Sequence, residues 1–383
     1  MLPQNKYQHR SWVEISKNAL LKNLGTFRKV IGRRVTLVAV VKANAYGHGL
    51  EEVSKIFEKG VDFFAVDNLT EALKLRNLGI TKSILVLGYT KENALKEAVE
   101  NDISLAVYDR NILARIASLK YPKKIRVHLK IETGLNRQGI KISKLLSLLK
   151  IIKKNEKYIS LEGVYTHFAN IEDTIDPSFA YRQLSDFKRA LKLIKKSGIK
   201  PKYFHCAASA ATLLYRNTHF NMVRIGISLY GLWPSKETKI VINLKGSKVS
   251  LMPALSWKSI IAQVKKVDVG ESVGYGRTWI APRDSLIAVI PVGYSDGYDR
   301  GLSNNSRILI NGQYAPLVGR VAMNMIMADV TDIKNIKREN VVTLLGSERG
   351  KSITADEVGE RIGTINYEIV ARINSLIPRV VVD

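Results

Sequence analysis

Leu37-Val-Ala-Val-Val-Lys42-Ala-Asn-Ala-Tyr46-Gly-His48-Gly49 carries the key to this chain's architecture. Its first five residues are apolar, with no in–out alternation. A strand of that kind belongs in a parallel sheet whose outer face is covered by helices. The run ends in a lysine, a tyrosine and a glycine-rich turn. Parallel α/β barrels carry their chemistry at such carboxyl ends.

The same layout recurs along the first two-thirds of the chain. Strands are expected at Leu37–Asn44, Phe63–Asp67, Ile84–Tyr89, Ile103–Tyr108, Ile125–Glu132, Leu161–Phe168, Tyr203–Ala207 and Met222–Leu229. Helical patterns lie between them. Leu69–Leu78 has Asn68 and Glu71 placed as a capping box and Gly79 as a stop. Leu145–Lys153 and Gln183–Lys196 are further examples. This alternation predicts a (β/α)8 TIM-type barrel over residues 17–245.

Beyond about residue 245 the texture changes. Leu255–Val267, Ser285–Val292, Arg307–Ile310, Pro316–Val330 and Val341–Leu345 read as strands, separated by turns such as Asn311-Gly312. Thr354 and Glu357 open a helix expected over Ala355–Ile373. Residues 246–383, joined by 5–16, are therefore assigned to a mainly β second domain, against which Trp12–Ile15 could pair. The fold class is α/β plus β. A length of 383 residues, more than one core usually holds, fits two domains.

Composition excludes several classes. No apolar run reaches membrane-spanning length, and Met1 to Arg10 lacks an apolar signal core. Cys206 is the one cysteine, so no internal disulfide can form and a cytoplasmic setting is the simplest. The net charge of +26 could attract nucleic acid or membranes. Its lysines, however, are dispersed on helical faces, as at Lys144, Lys150, Lys153 and Lys154. Neither nucleic acid nor membrane is expected as a partner. Gly346-Ser-Glu-Arg-Gly350-Lys351-Ser352 has one spacer too few for a nucleotide phosphate loop and reads as a surface turn.

The strand ends supply the chemistry. A lysine after an apolar run either snorkels to the surface or is held neutral, desolvated or as a Schiff base. Lys42 admits both readings. Lys130 and Glu132 share one strand face as an ion pair or as functional groups. His167 is either a satisfied core residue or a site residue, and His205 and Ser209 end the seventh run. Arg224, inside an apolar strand, needs a partner because it cannot shed its proton. Ser209 and the Gly226-Ile227 backbone could contact a phosphate. Together these groups offer an amine, an anion cradle and fixed cations on one rim. No metal site is assigned.

These motifs resemble the alanine racemase family. The segment Val40–Gly49 looks like that family's cofactor-lysine signature. Further matches are Glu132-Thr-Gly134 with Arg137, Leu161–Phe168, Val223–Ile227, Gly274-Tyr275-Gly276, Gly293–Gly297, Val318–Met323 and Thr364–Glu368. The resemblance runs from Trp12 to Val380. It implies interconversion of L- and D-alanine through pyridoxal 5′-phosphate held by Lys42 as an aldimine, with Lys42 and Tyr275 as two bases. It also implies that Tyr46, Ser209, Gly226, Ile227 and Tyr367 hold the phosphate, that Arg224 bonds the pyridine nitrogen and that His167 packs on the ring. Arg137 and the Met323 backbone would contact the substrate carboxylate, and Tyr294 and Tyr367 would line the approach. Lys130 falls where many relatives carry a carbamylated lysine. A homodimer is implied, with Tyr275 acting across its interface, as is D-alanine supply for bacterial cell wall (peptidoglycan).

An arginine at the ring nitrogen can only donate, so that nitrogen should stay unprotonated and side reactions should be suppressed. Two positions depart from common family patterns. Ala208 stands where an asparagine often precedes the serine, and Asn324 where aspartate is frequent. Alternatives within the same residues are a broad-specificity or serine racemase, a related decarboxylase, and a non-catalytic pyridoxal-phosphate carrier. Arg224 and Tyr275 argue against decarboxylation, and Tyr275 with the β-rich domain against a carrier.

Overall fold

The computed structural model describes residues 9–383. Residues 5–8, assigned above to the second domain, lie outside the described residues. Two compact units emerge. One comprises Leu20–Ala43 and Val53–Met252; the other comprises residues 9–19, Asn44–Glu52 and Pro253–Asp383.

The first unit is a nearly closed barrel of eight parallel strands. In chain order they are Thr36–Val40, Phe63–Val66, Ser83–Val86, Ile103–Val107, Ile125–Glu132, Ile159–Tyr165, Tyr203–His205 and Met222–Ile225. The eighth pairs with the first, and the series continues in chain order round to the seventh. Between the seventh and eighth, the Arg224 amide donates to the Ala207 carbonyl at 3.0 Å.

The fifth strand matches its expected span residue for residue. The eighth is shorter than expected, because Gly226 turns the chain into a 3-10 turn at Ile227–Tyr230. The first stops at Val40, because Lys42–Tyr46 has left extended geometry altogether.

Helices cover the strands by spacing alone. Ser178–Lys196 buries Ala180, Leu184, Phe187, Ala190 and Ile194, one stripe at three- and four-residue intervals. A fully buried side chain such as Phe187 contributes roughly 1.5–3 kcal/mol. Leu69–Asn77 begins as expected, the Asn68 side chain accepting from the Glu71 amide at 3.0 Å. Only half of the expected capping box forms, since the Glu71 carboxylate is engaged elsewhere.

The second unit is mainly β. Its main sheet runs Gln313–Pro316, Arg307–Ile310, Val341–Glu348, Leu255–Ile260, Ser11–Ser16, Arg379–Val382. The N-terminal strand that contains Trp12–Ile15 is thus a central strand here. It lies antiparallel to Leu255–Ile260 and parallel to Arg379–Val382. Asn311 and Gly312, at φ 53° and 75°, close a two-residue hairpin of the kind that needs positive φ at both positions.

Three expected elements are divided. Leu255–Val267 becomes Leu255–Ile260 and Gln263–Val267. Pro316–Val330 is a loop through Gly319, at φ 77°, followed by the strand Ile326–Asp329. Ala355–Ile373 breaks at Gly363, which is left-handed, into Ala355–Ile362 and Asn366–Ala371. The turn around Arg349-Gly350 joins Val341–Glu348 to Lys351–Ile353 as a tight hairpin. No described helix is long and apolar enough to cross a membrane.

Candidate active site

Lys42 stands just beyond the first barrel strand, with its ammonium 3.6 Å from Asp67 Oδ1 at the end of the second. The backbone that follows has the opposite hand to an ordinary helix. Ala43, Asn44, Ala45 and Tyr46 have φ between 53° and 54°. Side-chain crowding makes that conformation cost roughly 1–2 kcal/mol per residue, so the turn stores about 4–8 kcal/mol. Such strain persists only where the surroundings over-determine it.

Here the anchors are specific. Glu71 accepts from the Ala43 amide at 2.7 Å and from the Asp67 amide at 2.9 Å. One carboxylate thereby fixes both the start of the turn and the residue that faces Lys42. Within the second unit, the Asn44 side chain accepts from the Leu50 amide at 2.8 Å. Arg379 donates to the Gly47 carbonyl at 2.9 and 3.0 Å. Gly47 is required: at φ 81°, a Cβ there would fall 1.9 Å from the Val370 carbonyl oxygen.

Anion-binding geometry appears at the ends of the seventh and eighth strands. Ser209 opens the helix Ser209–Leu214, and Gly226 precedes the turn Ile227–Tyr230. Neither start has a capping side chain. The buried Ser209 hydroxyl accepts from the Gly226 amide at 3.1 Å, which draws the two starts together. Amide donors converging from two helix starts favour a phosphate.

The buried Arg224 guanidinium is held from several sides. Its Nη2 donates to the Thr166 carbonyl at 2.9 Å and the Cys206 carbonyl at 3.2 Å, while Nη1 donates to His205 Nδ1 at 2.6 Å. His167 Nδ1 lies 3.5 Å from Nη2. Burial, then the charges of Arg224, Arg137, Lys130 and Lys42, push His167 down to about 3, so the ring is neutral.

Lys130 is buried, and it does not form the ion pair with Glu132 that one reading allowed. Its ammonium donates to the Gln138 side-chain carbonyl at 3.3 Å, and Glu132 instead accepts from the Gly134 amide. Burial, then the charges of Arg137 and Arg224, lower Lys130 to about 8. Arg137 is exposed in the loop after the fifth strand.

The second unit carries the remaining expected residues. The rings of Tyr46 and Tyr367 stand 6.2 Å apart. Tyr275 occupies a short turn flanked by Gly274 and Gly276, both at positive φ, and is 73% exposed. Met323 and Tyr294 are also exposed. The Met323 carbonyl accepts from the Ser295 amide and hydroxyl, and the Asn324 amide donates to that hydroxyl at 2.7 Å. Asn324 thus supports the loop by donating, which an aspartate could not do.

Sequence reasoning missed Asp67, Glu71 and Gln138, as well as the connections that His205 makes. Asp67 ended an expected strand, and that position was the available signal. The reach of Glu71 and Gln138 had none.

The buried histidines carry a pH signature. His48 is lowered to about 4 and His167 to about 3, chiefly by burial; His128 and His205 are lowered for the same reason. Each is neutral when folded and gains a proton on unfolding at acid pH. For His48 and His167 this contribution to stability is complete above about pH 6.5 and is lost as pH falls from there toward the folded value, at up to about 1.4 kcal/mol per pH unit each; His128 and His205 act in the same direction. Urea midpoints are expected to fall steeply between pH 6.5 and 4. A flat profile there would contradict the neutral assignments.

A nearly closed eight-stranded α/β barrel with a lysine, a buried arginine and an anion cradle at its strand ends, followed by a mainly β domain, defines a two-domain barrel enzyme. Two family models match the chain: the alanine racemase N-terminal domain over residues 15–234 and the C-terminal domain over residues 254–381. The chain belongs to the alanine racemase family, and it is a racemase. It is 41% identical over 381 residues to an alanine racemase of Leptospira interrogans, covering 99% of this chain and 97% of that one. It is 40% identical to one from Methanococcus maripaludis, covering 97% and 98%. Among solved structures it is similar to alanine racemase from Bacillus anthracis with bound L-Ala-P, with TM-score 0.92, 36% identity and coverage of 99% and 96%. A Clostridium difficile alanine racemase in complex with cycloserine gives TM-score 0.89 and 33% identity, covering 98% and 96%.

Proposed function

We propose that this chain interconverts L-alanine and D-alanine with pyridoxal 5′-phosphate bound at Lys42. The observation that carries this reading is the barrel rim, where Lys42, the buried Arg224 and two uncapped helix starts occur together. The donor set fits the cofactor. Ser209, Gly226 and Ile227 would hold its phosphate, with Tyr46 and Tyr367 as further phosphate partners. Arg224 would meet the ring nitrogen, and neutral His167 would pack against the ring. When bound, the cofactor withdraws electrons from the α-carbon of the amino acid.

The chain's own groups then move two protons, one off and one onto the α-carbon, on opposite faces. The Lys42 amine takes or gives a proton on one face, and the Tyr275 phenol gives or takes a proton on the other. Arg137 and the Met323 backbone hold the substrate carboxylate, and Tyr294 and Tyr367 line the approach. The exposure of Tyr275, Met323 and Tyr294 supports a homodimer in which Tyr275 of one copy serves the substrate of the other. The single, buried cysteine suits a cytoplasmic setting. D-alanine supply for peptidoglycan is the role that fits this activity.

Lys130, at about 8, keeps a neutral fraction to which carbon dioxide can add. The resulting carbamate would present an anion to Arg137. Uptake of 13C-labelled carbon dioxide, read by NMR, should grow from pH 7 to 9 and vanish in Lys130→Ala. A label that persists in that variant would remove the assignment.

The decisive experiment is Lys42→Ala. Racemisation is expected to fall by about 10⁴-fold or more. Borohydride should no longer fix cofactor to the protein. Cofactor still reducible onto a single other lysine would refute the reading.

A further inference from the structure

Four buried or half-buried polar groups form a line through the barrel unit. His205 Nε2 and His128 Nδ1 are 2.8 Å apart, and His128 Nε2 stands 3.3 Å from Glu162 Oε2. At the other end, Arg224 Nη1 meets His205 Nδ1 at 2.6 Å. The donors are settled by the two termini. A guanidinium only donates and a carboxylate only accepts. His205 Nδ1 must therefore accept, so its proton sits on Nε2. His128 Nδ1 accepts that proton's hydrogen bond, so His128 also carries its own proton on Nε2 and donates it to Glu162. Both rings are neutral and both share one tautomer.

The packing is built for this line. His205 stacks on Tyr165 with centroids 4.8 Å apart and planes 5° apart; His128 stacks on Tyr203 at 15°. Gly163 leaves the space: a Cβ there would lie 2.2 Å from His128 Nδ1. Burial lowers both histidines, which agrees with neutral rings. At the far end the Ser104 hydroxyl donates to Glu162 Oε2 at 2.7 Å. Arg126 Nε lies 3.8 Å from the same carboxylate, but its Nη2 is closer to Asp102, at 3.0 Å. Glu162, which also pairs with Arg126, is the carboxylate at the end of the line from Arg224.

We infer that Glu162 is a positioning residue for Arg224, acting through His128 and His205 to fix the direction in which the guanidinium donates. The inference rests on the reading that Arg224 meets the cofactor's ring nitrogen. Hydrogen bonds in such a chain polarise one another, so a change at Glu162 reaches His205, which it does not touch.

The test uses the full-length protein labelled with 15N-histidine, first without cofactor and then loaded. In the unmodified protein both rings should show the Nε2–H tautomer from pH 5 to 8. Glu162→Gln keeps an accepting oxygen but removes the charge, so the His205 Nε2 signal should shift. Ser104→Ala removes a competing donor, so the same signal should shift in the opposite direction. In the loaded enzyme, Glu162→Gln should lower kcat about tenfold, with little change in KM. A His205 signal that neither substitution moves, or that both move in the same direction, overturns the inference. So does the Nδ1–H tautomer at either ring. Should Glu162→Gln fail to fold, the Ser104→Ala shift still decides the matter. The cofactor-free spectra can be read whether or not pyridoxal phosphate binds, so failure of the functional reading and failure of this inference are separable.

Discussion

Tyr275→Phe is expected to lower racemisation about 10²- to 10⁴-fold in both directions, because each turnover needs a proton moved on both faces. The loss should be one-sided at the level of proton exchange. With Lys42 intact, one enantiomer of alanine should still exchange its α-hydrogen with deuterated water, while the other should not. Chiral chromatography together with proton NMR in deuterated water measures both quantities. Because Phe keeps the ring and removes only a hydroxyl, thermal stability should change little. A variant that interconverts both enantiomers at full speed would remove Tyr275 from the chemistry. Exchange lost equally from both enantiomers would imply a single base serving the two faces.

The second large effect is expected at Arg224. Arg224→Glu places a carboxylate among groups arranged to accept. The Thr166 and Cys206 carbonyls would face oxygen, and His205 Nδ1 would have to carry a proton. Reversing His205 reverses His128, whose Nε2 would then present a lone pair to Glu162. The site can be satisfied only by taking up an extra proton or by breaking the line. Stability is expected to fall by about 3–5 kcal/mol, the usual cost of an uncompensated buried charge. The reaction partition should change as well, because a carboxylate would keep the ring nitrogen protonated. Pyruvate formed per D-alanine should rise. An unchanged ratio in a folded, cofactor-loaded variant would show that the arginine does not govern reaction type.

Much of this was legible because the barrel repeats a simple rule. Apolar runs such as Phe63–Val66 form strands buried on both faces, and polar residues at the strand ends share one rim. Lys42, Arg224 and Ser209 could be located in that way. The misreadings are local. Ala43, Asn44, Ala45 and Tyr46 give no sign of inverted hand, since distant partners impose it. Gly319 and Gly363 interrupt apolar patterns that looked continuous, because a glycine inside such a run marks either a break or a tolerated position. The longest-reaching connections were the least visible. Glu71 was read as half of a capping box, yet its carboxylate turns to Ala43 and Asp67. Glu162 was one charged residue in an apolar strand, and its relation to Arg224 passes through two rings whose stacking no spacing reveals.

The inverted turn after Lys42 also bears on how the protein is made. Its hold on Gly47 comes from Arg379, which is 332 residues later in the chain, and its close packing comes from Val370. Synthesis proceeds from the amino end, at roughly 5–20 residues per second. Glu71, which holds the start of the turn, leaves the ribosome soon after the reactive amine, whereas Arg379 and Val370, which hold Gly47, follow far later. A chain that has reached Glu71 can fix the turn at Ala43, but its grip at Gly47 awaits Arg379. The two ends of one short turn are thus secured at widely separated moments of synthesis.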